Sequence, residues 1–288
     1  MSSESGSGPV RIGLVGCGGI SRAHARGLRA LGPEWAKVVL CCDLDPDRAR
    51  LRAEELDAEA FTTDWDEVFD HPEIEAVDLC LPHHLHAEAA IAAAQAGKHI
   101  LIEKPLARTL EEADRILNAV QRSGVLLMVA FVERFEADHQ RAKELLDAGA
   151  IGRPMLVRVD HNQNLLLPPD SWIRSAELLG GGALASAGCH RLDLLRWWLG
   201  EVDSVFAWTL HEPSRMEGGD RSGSDVALPL GGDRELCDQL DVLRSTLAQT
   251  LLDRGHQGIA PQLRRTPASP ERPGRNGTNR DRSARPVR

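Results

Sequence analysis

The chain has 288 residues, 42% of them hydrophobic and 27% charged, with a formal net charge of −9. That length holds one large domain or two ordinary ones around a core; no apolar run reaches a membrane span, and the acidic balance argues against a nucleic-acid binder. The six cysteines (17, 41, 42, 80, 189 and 237) have no paired zinc spacing and read as reduced, mostly buried thiols.

Residues 1–9 are polar and rich in Gly and Ser, with no basic region and no apolar signal core. They read as a flexible tail on a cytoplasmic protein. Val10 to Val15 is an apolar run. It leads through Gly16-Cys17-Gly18-Gly19-Ile20-Ser21 into an amphipathic stretch, Ala23 to Leu31. That is strand, glycine turn, helix, the arrangement that offers helix N-terminal N–H groups and a positive dipole end to a pyrophosphate. Gly16 permits the tight turn, Gly18 lets a phosphate approach the backbone, and Ser21 stands where Gly or Ala is usual. A glycine turn that binds nothing is the alternative.

Lys37 to Cys42 is a second β-prone run, and it ends at Asp43. An acid at that strand tip accepts hydrogen bonds from both ribose hydroxyls and repels a 2′-phosphate, so it favours NAD over NADP. Arg48, nearby in sequence, works against that preference. The alternative for Asp43 is a turn or cap residue for the helix that opens at Asp45-Pro46-Asp47.

Strand and helix patterns continue to alternate. Strands are expected at 10–15, 37–42, 76–81, 99–102 and 125–131, and helices at 20–31, 46–56, 86–96 and 110–122. The last helix carries a capping box, Thr109 with Glu112, and ends at Gly124. Such alternation makes an α/β fold with a parallel sheet, whose ligands bind beyond the carboxyl ends of the strands. Three motifs sit there: Asp43, Pro82-His83-His84-Leu85-His86 and Glu103-Lys104-Pro105.

Lys104 is one of only four lysines, and the chain has no Tyr to serve as acid or base. Its ammonium is expected to face the nicotinamide end and polarise a substrate hydroxyl, with Glu103 holding it. A surface salt bridge is the alternative. The His83–His86 cluster lacks a carboxylate or cysteine to complete a ligand set, so no metal is expected. His86 is expected to open a helix near the nicotinamide, with His83 and His84 lining the crevice.

After Phe131 the pattern changes. A helix is expected over 137–148, a strand over 155–161, a loop over 165–175, a helix over 183–199 after Gly180-Gly181-Gly182, and a strand over 202–209. Ser186, His190 and Asp193 then share a helix face. His190 is a natural general base; a core or capping histidine is the alternative. From about residue 221 this character is lost. Residues 234–254 allow one amphipathic helix. Residues 264–288, with eight Arg against Glu271 and Asp281, read as disordered.

Together, Gly16 to Ser21, Pro82 to His86, Ala96 to Ala107 and Gly180 to Leu199, with its Gly-Cys-His-x-x-Asp core, resemble the Gfo/Idh/MocA oxidoreductases. That is the glucose–fructose oxidoreductase and inositol dehydrogenase family, and the likeness covers about residues 10–210. It implies a Rossmann domain over 10–131 and a C-terminal α/β domain of the open-sheet type, here partial over 132–220. It also implies a cis Lys104–Pro105 bond and NAD(P)-dependent oxidation of sugar-like alcohols. On that resemblance Lys104 and His190 are the catalytic pair. Gly16, Gly18, Gly19, Ile20, Asp43, Pro82, His83, His86, Glu103 and Lys104 contact the cofactor, and Lys104, Ser186 and His190 meet the substrate.

Two departures stand out. Many members carry Asp four residues before the catalytic His, where this chain has Ser186. The family chain usually continues with several strands, whereas 221–288 reads as a foreign ending, such as a frameshift would give. That ending weakens the expectation of a homo-oligomer, which members often form through the open sheet. The expected activity is a dehydrogenase on a sugar, polyol or related cyclic alcohol. A regulatory nucleotide-binding protein and a glycosidase using bound NAD are the alternatives.

Overall fold

The structure, a computed structural model, describes residues 8–159 and 167–205. The readings made for 160–166 and for the chain beyond Val205, including the 234–254 helix and the basic tail, lie outside the described residues.

The first part runs β1 (Val10–Val15), α1 (Ser21–Leu31), β2 (Ala36–Cys42), α2 (Pro46–Leu56), β3 (Ala60–Thr62), α3 (Trp65–Phe69), β4 (Ala76–Leu79), α4 (His86–Gln95), β5 (His99–Ile102), α5 (Leu110–Ser123) and β6 (Leu127–Val129). The strands form one six-stranded sheet in the order β3-β2-β1-β4-β5-β6, every neighbouring pair parallel. This is a Rossmann-type α/β fold. The order in which strands are laid down reverses between β1 and β4, which opens a crevice at their carboxyl ends.

Local chemistry sets the boundaries. The Asp45 carboxylate accepts from the N–H groups of Asp47 and Arg48, with Pro46 starting α2. Thr109 Oγ1 accepts from Glu112 N at 3.1 Å, and α5 stops at left-handed Gly124. On α4, Ala87, Ala89, Ala90, Ala93 and Ala94 are buried, so this helix lies close against the sheet. Val15, Val77, Leu79, Ile100 and Ile102 fill the core of the central strands, as a sheet covered on both faces requires.

Beyond β6 the described elements are helices: α6 (Ala137–Asp147), α7 (Ala176–Leu179), a π-helical turn Leu184–Gly188, and α8 (Cys189–Leu199). The sequence reading and the structure differ in several places. The short β3 and α3 were not anticipated, because three and five residues carry no readable period. Residues 155–159 and 202–205 are not in strands, and the rest of the strands expected over 155–161 and 202–209 lies outside the described residues. The helix expected over 183–199 is interrupted by the π turn. Closely approaching small residues accompany that turn: a Cβ on Gly188 would meet Leu184 Cδ1 at 2.8 Å.

Candidate active site

The glycine turn sits at the mouth of the β1–β4 crevice. Gly16 has φ 93°, and a Cβ there would stand 2.3 Å from the Cys80 carbonyl oxygen, so this position requires glycine. Around Gly18 and Gly19 a Cβ would meet nothing within 4 Å, which leaves open space above the helix start. Ser21 is fully buried, and its hydroxyl donates to the Gly18 carbonyl at 2.7 Å. Small size and a local hydrogen bond let serine replace the usual glycine. The residue before α1, Ile20, provides no side-chain cap, so the helix N-terminus is left for an anion.

Asp43 braces this turn. Its Oδ2 accepts from Cys17 N at 2.7 Å and its Oδ1 from Asp45 N at 2.9 Å. Each carboxylate oxygen has a second lone pair, so both ribose hydroxyls still have an acceptor. Arg48, expected to oppose the NAD preference, pairs instead with Asp45 at 3.1 Å. Open space at Gly18, an uncapped helix start and a fixed carboxylate fit a dinucleotide.

At the end of β5, the Lys104–Pro105 peptide is cis. The Lys104 ammonium donates to the Ser186 carbonyl at 2.7 Å, across 82 residues of sequence. The expectation that Glu103 holds this ammonium is corrected: Glu103 accepts from the Lys104 backbone N–H at 3.0 Å and pairs with His24. His190 stands edge-on to Phe131 with ring centroids 6.0 Å apart. Its Nδ1 is buried with no hydrogen-bond partner among the described residues. Burial, reinforced by the charge of Lys104, holds this imidazole below its ordinary pKa. It therefore stays neutral near pH 7, as a proton acceptor must. Lys104, Ser186 and His190 thus come together. Asp193 does not join them; it forms a two-point ion pair with Arg134, at 2.6 and 2.5 Å.

The histidine cluster does other work than expected. His86 does open α4, but it is fully buried and its ring nitrogens lie 2.8 Å from the Pro105 carbonyl and 2.9 Å from the Leu81 carbonyl. It anchors the Lys104–Pro105 turn to the end of β4 rather than presenting a free nitrogen to a ligand. His83, which follows Pro82, is buried as well. Its Nδ1 bonds the Leu179 carbonyl at 2.9 Å and its ring packs edge-on against Trp172. Burial takes its pKa down to about 4. His84 Nδ1 is buried without a partner among the described residues.

Sequence reasoning missed His24 on α1. Its Nδ1 lies 3.0 and 2.9 Å from the two oxygens of Asp78, and its Nε2 lies 3.0 Å from Glu103 Oε1. The signal was present. Ser21, His24, Ala25 and Leu28 lie on one helical stripe, and Asp78 interrupts an otherwise apolar strand. An ionisable side chain on a core-facing stripe calls for a partner elsewhere in the chain.

Residues 10–131 match the GFO_IDH_MocA family model, described as an oxidoreductase family with an NAD-binding Rossmann fold, and residues 139–229 match the family's C-terminal domain model. Among curated relatives, levoglucosan dehydrogenase of Pseudarthrobacter phenanthrenivorans is 35% identical over 228 residues, covering 75% of this chain and 58% of that protein. Myo-inositol 2-dehydrogenase of Thermotoga maritima is 33% identical over 199 residues, covering 69% and 58%. A solved levoglucosan dehydrogenase in complex with NADH and levoglucosan superposes with TM-score 0.60 at 34% identity, over 70% of this chain and 57% of that one. The WlbA dehydrogenase from Bordetella pertussis, in complex with NADH and UDP-GlcNAcA, gives TM-score 0.63 at 30% identity, over 77% and 64%. The chain spans under three-fifths of the length of these two curated relatives. No described helix is long and apolar enough to cross a membrane.

Proposed function

The chain belongs to the Gfo/Idh/MocA oxidoreductase family, and on that premise we propose that it is an NAD-dependent dehydrogenase for a ring-borne alcohol, of the sugar or cyclitol class. One observation carries the reading. The Lys104 ammonium, from the end of β5, donates to the Ser186 carbonyl in the turn that leads into α8, the helix of His190, and the charge of Lys104 is felt at His190.

When bound, NAD supplies the hydride acceptor. Gly16, Gly18, Gly19 and Ile20 would form the cradle for its phosphates, Asp43 would take the ribose hydroxyls, and Pro82 would border the crevice at the end of β4. The Lys104 ammonium spends one of its three N–H donors on Ser186 and turns the others to the substrate oxygen. There it orients the hydroxyl and stabilises negative charge as the proton leaves. His190, held neutral by burial and by the charge of Lys104, receives that proton. The five described cysteines are free thiols, which supports placing the enzyme in a reducing compartment such as the cytoplasm.

The test is NAD titration of the full chain, followed by a screen of levoglucosan, inositols and other polyols for NADH formation, with Lys104→Ala as control. We expect saturable NAD binding and turnover of at least one ring alcohol that the variant loses. Binding without turnover across the panel, or equal turnover by the variant, overturns the reading.

A further inference from the structure

We propose that His24 is a positioning residue: an imidazolium clamped between Asp78 and Glu103 that ties the phosphate-receiving helix to the strand end bearing Lys104. This deepens the dehydrogenase reading and rests on it for its kinetic consequence.

The geometry is two-sided. Nδ1 faces both Asp78 oxygens at 3.0 and 2.9 Å, and Nε2 faces Glu103 Oε1 at 3.0 Å. Carboxylates only accept, so a ring satisfied at both nitrogens carries both protons and a positive charge. The side chains of His24, Asp78 and Glu103 are all at least nine-tenths buried. A charge in such a place persists only if paired. The remaining neighbour is Cys80 at the end of β4; burial and the Asp78 charge push its thiol up to about 12, so it stays neutral. Burial works against the His24 charge, but the bonds to Asp78, Cys80 and Glu103 win and carry its pKa up to about 12.

Three elements meet on this ring: α1, whose N-terminus faces the phosphate cradle; β4, across the switch point from β1; and the segment after β5. Glu103 passes the constraint on. While Oε1 is held by His24, Oε2 accepts the Lys104 backbone N–H at 3.0 Å, so the direction in which the Lys104 side chain leaves the chain is set. Without the cation, buried Asp78 loses its counter-charge and Glu103 keeps only that of Lys104. Glu103 then takes up a proton or shifts, and Lys104 moves with it. The same cluster offers His24, Asp78 and Cys80 as donors within 4.8 Å of one another. The 2.9–3.0 Å spacings from Nδ1 to Asp78 are those of a hydrogen bond rather than of ligands around a shared ion.

The test uses the full chain in two arms. The first is 15N NMR of histidine-labelled wild-type protein from pH 6 to 10, with metal analysis after dialysis. We expect one ring with both nitrogens protonated at pH 8, absent from the spectrum of His24→Gln, and no stoichiometric metal. A neutral His24 ring at pH 8, or one retained zinc per chain, overturns the proposal whether or not the protein turns over any alcohol. The second arm is a double-mutant cycle on kcat with His24→Gln and Lys104→Ala. We expect His24→Gln to lower kcat about tenfold alone and less than twofold in the Lys104→Ala background, with the NAD dissociation constant raised only a few-fold. Additive losses assign His24 to general stability and overturn its action through Lys104. Absence of turnover by the wild type refutes the dehydrogenase reading, and the NMR arm then judges the imidazolium by itself.

Discussion

Between Val10 and Ala130 the chain buries the central strands and much of α4, whereas among the described residues between Val132 and Val205 only Leu179, Leu194 and Leu195 of the apolar side chains are buried. The second region is held largely by polar ties. Arg134 pairs with Asp193, Arg191 with Glu133, the Trp198 indole N–H donates to the His139 carbonyl, and the Lys104 ammonium donates to Ser186. The nucleotide cradle therefore rests on an apolar core, while the placement of His190 rests on directional contacts that fail one by one. Damage to the two regions separates into different phenotypes.

The largest separation is expected at Lys104, where the regions touch. Lys104→Ala removes the charge that polarises the substrate and the tie to Ser186. We expect kcat to fall about a thousandfold, roughly 4 kcal/mol of barrier. NAD affinity should stay within about threefold, because the cradle is built from β1, α1 and β2. Steady-state kinetics beside NAD titration reads both, and parallel loss of binding erases the distinction. Ile102→Ala does the opposite. This side chain of β5 is fully buried, and truncation costs about 2–5 kcal/mol of stability. Denaturant unfolding should show a lower midpoint, with NAD binding and turnover lost together in one transition.

The same division governs what is legible in the sequence. β1, β2, β5, α1, α2, α4 and α5 announce themselves through apolar runs punctuated by Gly16, Asp45-Pro46, Gly97, Thr109 and Gly124, all local signals. Lys104 and His190 stand in motifs with a spacing, which is what made them candidates. What failed were long-range facts. Glu103 sits beside Lys104, so a pairing of their charges was the natural expectation, yet its partner is His24, 79 residues away. Asp193 shares α8 with His190 but turns to Arg134, 59 residues away.

His24 offers a sharper probe of the core-held region, because its charge is written into the pH dependence of folding. Its pKa is raised in the folded protein, from an ordinary 6.5 to about 12. The resulting stability is fully present below the unfolded value and is lost as pH rises toward the folded one. Between pH 7 and 10, unfolding releases this proton, so the wild type should weaken by up to about 1.4 kcal/mol per pH unit. His24→Gln should be less stable at pH 7 and lack that component of the slope. Urea unfolding at several pH values checks it, and identical slopes in the two proteins would remove the charge from the ring.

The smallest effect is the most specific to the second region. Asp193→Asn keeps the shape and one hydrogen bond of the Arg134 pair but removes its charge. The Arg134 side chain is 39% exposed, so solvent screens the pair and its worth is about 1 kcal/mol rather than that of a buried bridge. Because α8 carries both Asp193 and His190, that loosening should reach the base: kcat/KM is expected to fall about fivefold. NAD affinity and the global unfolding midpoint should barely change, since neither Asp193 nor Arg134 belongs to the buried core. Raising salt from about 0.1 to 1 M shortens the screening length from about 10 to 3 Å, so it should reproduce part of the loss in the wild type and little further loss in the variant. A fall in NAD affinity equal to the fall in kcat/KM would mean that α8 and the nucleotide cradle move as one body, and the contrast between a core-held and a polar-held region would have to be given up.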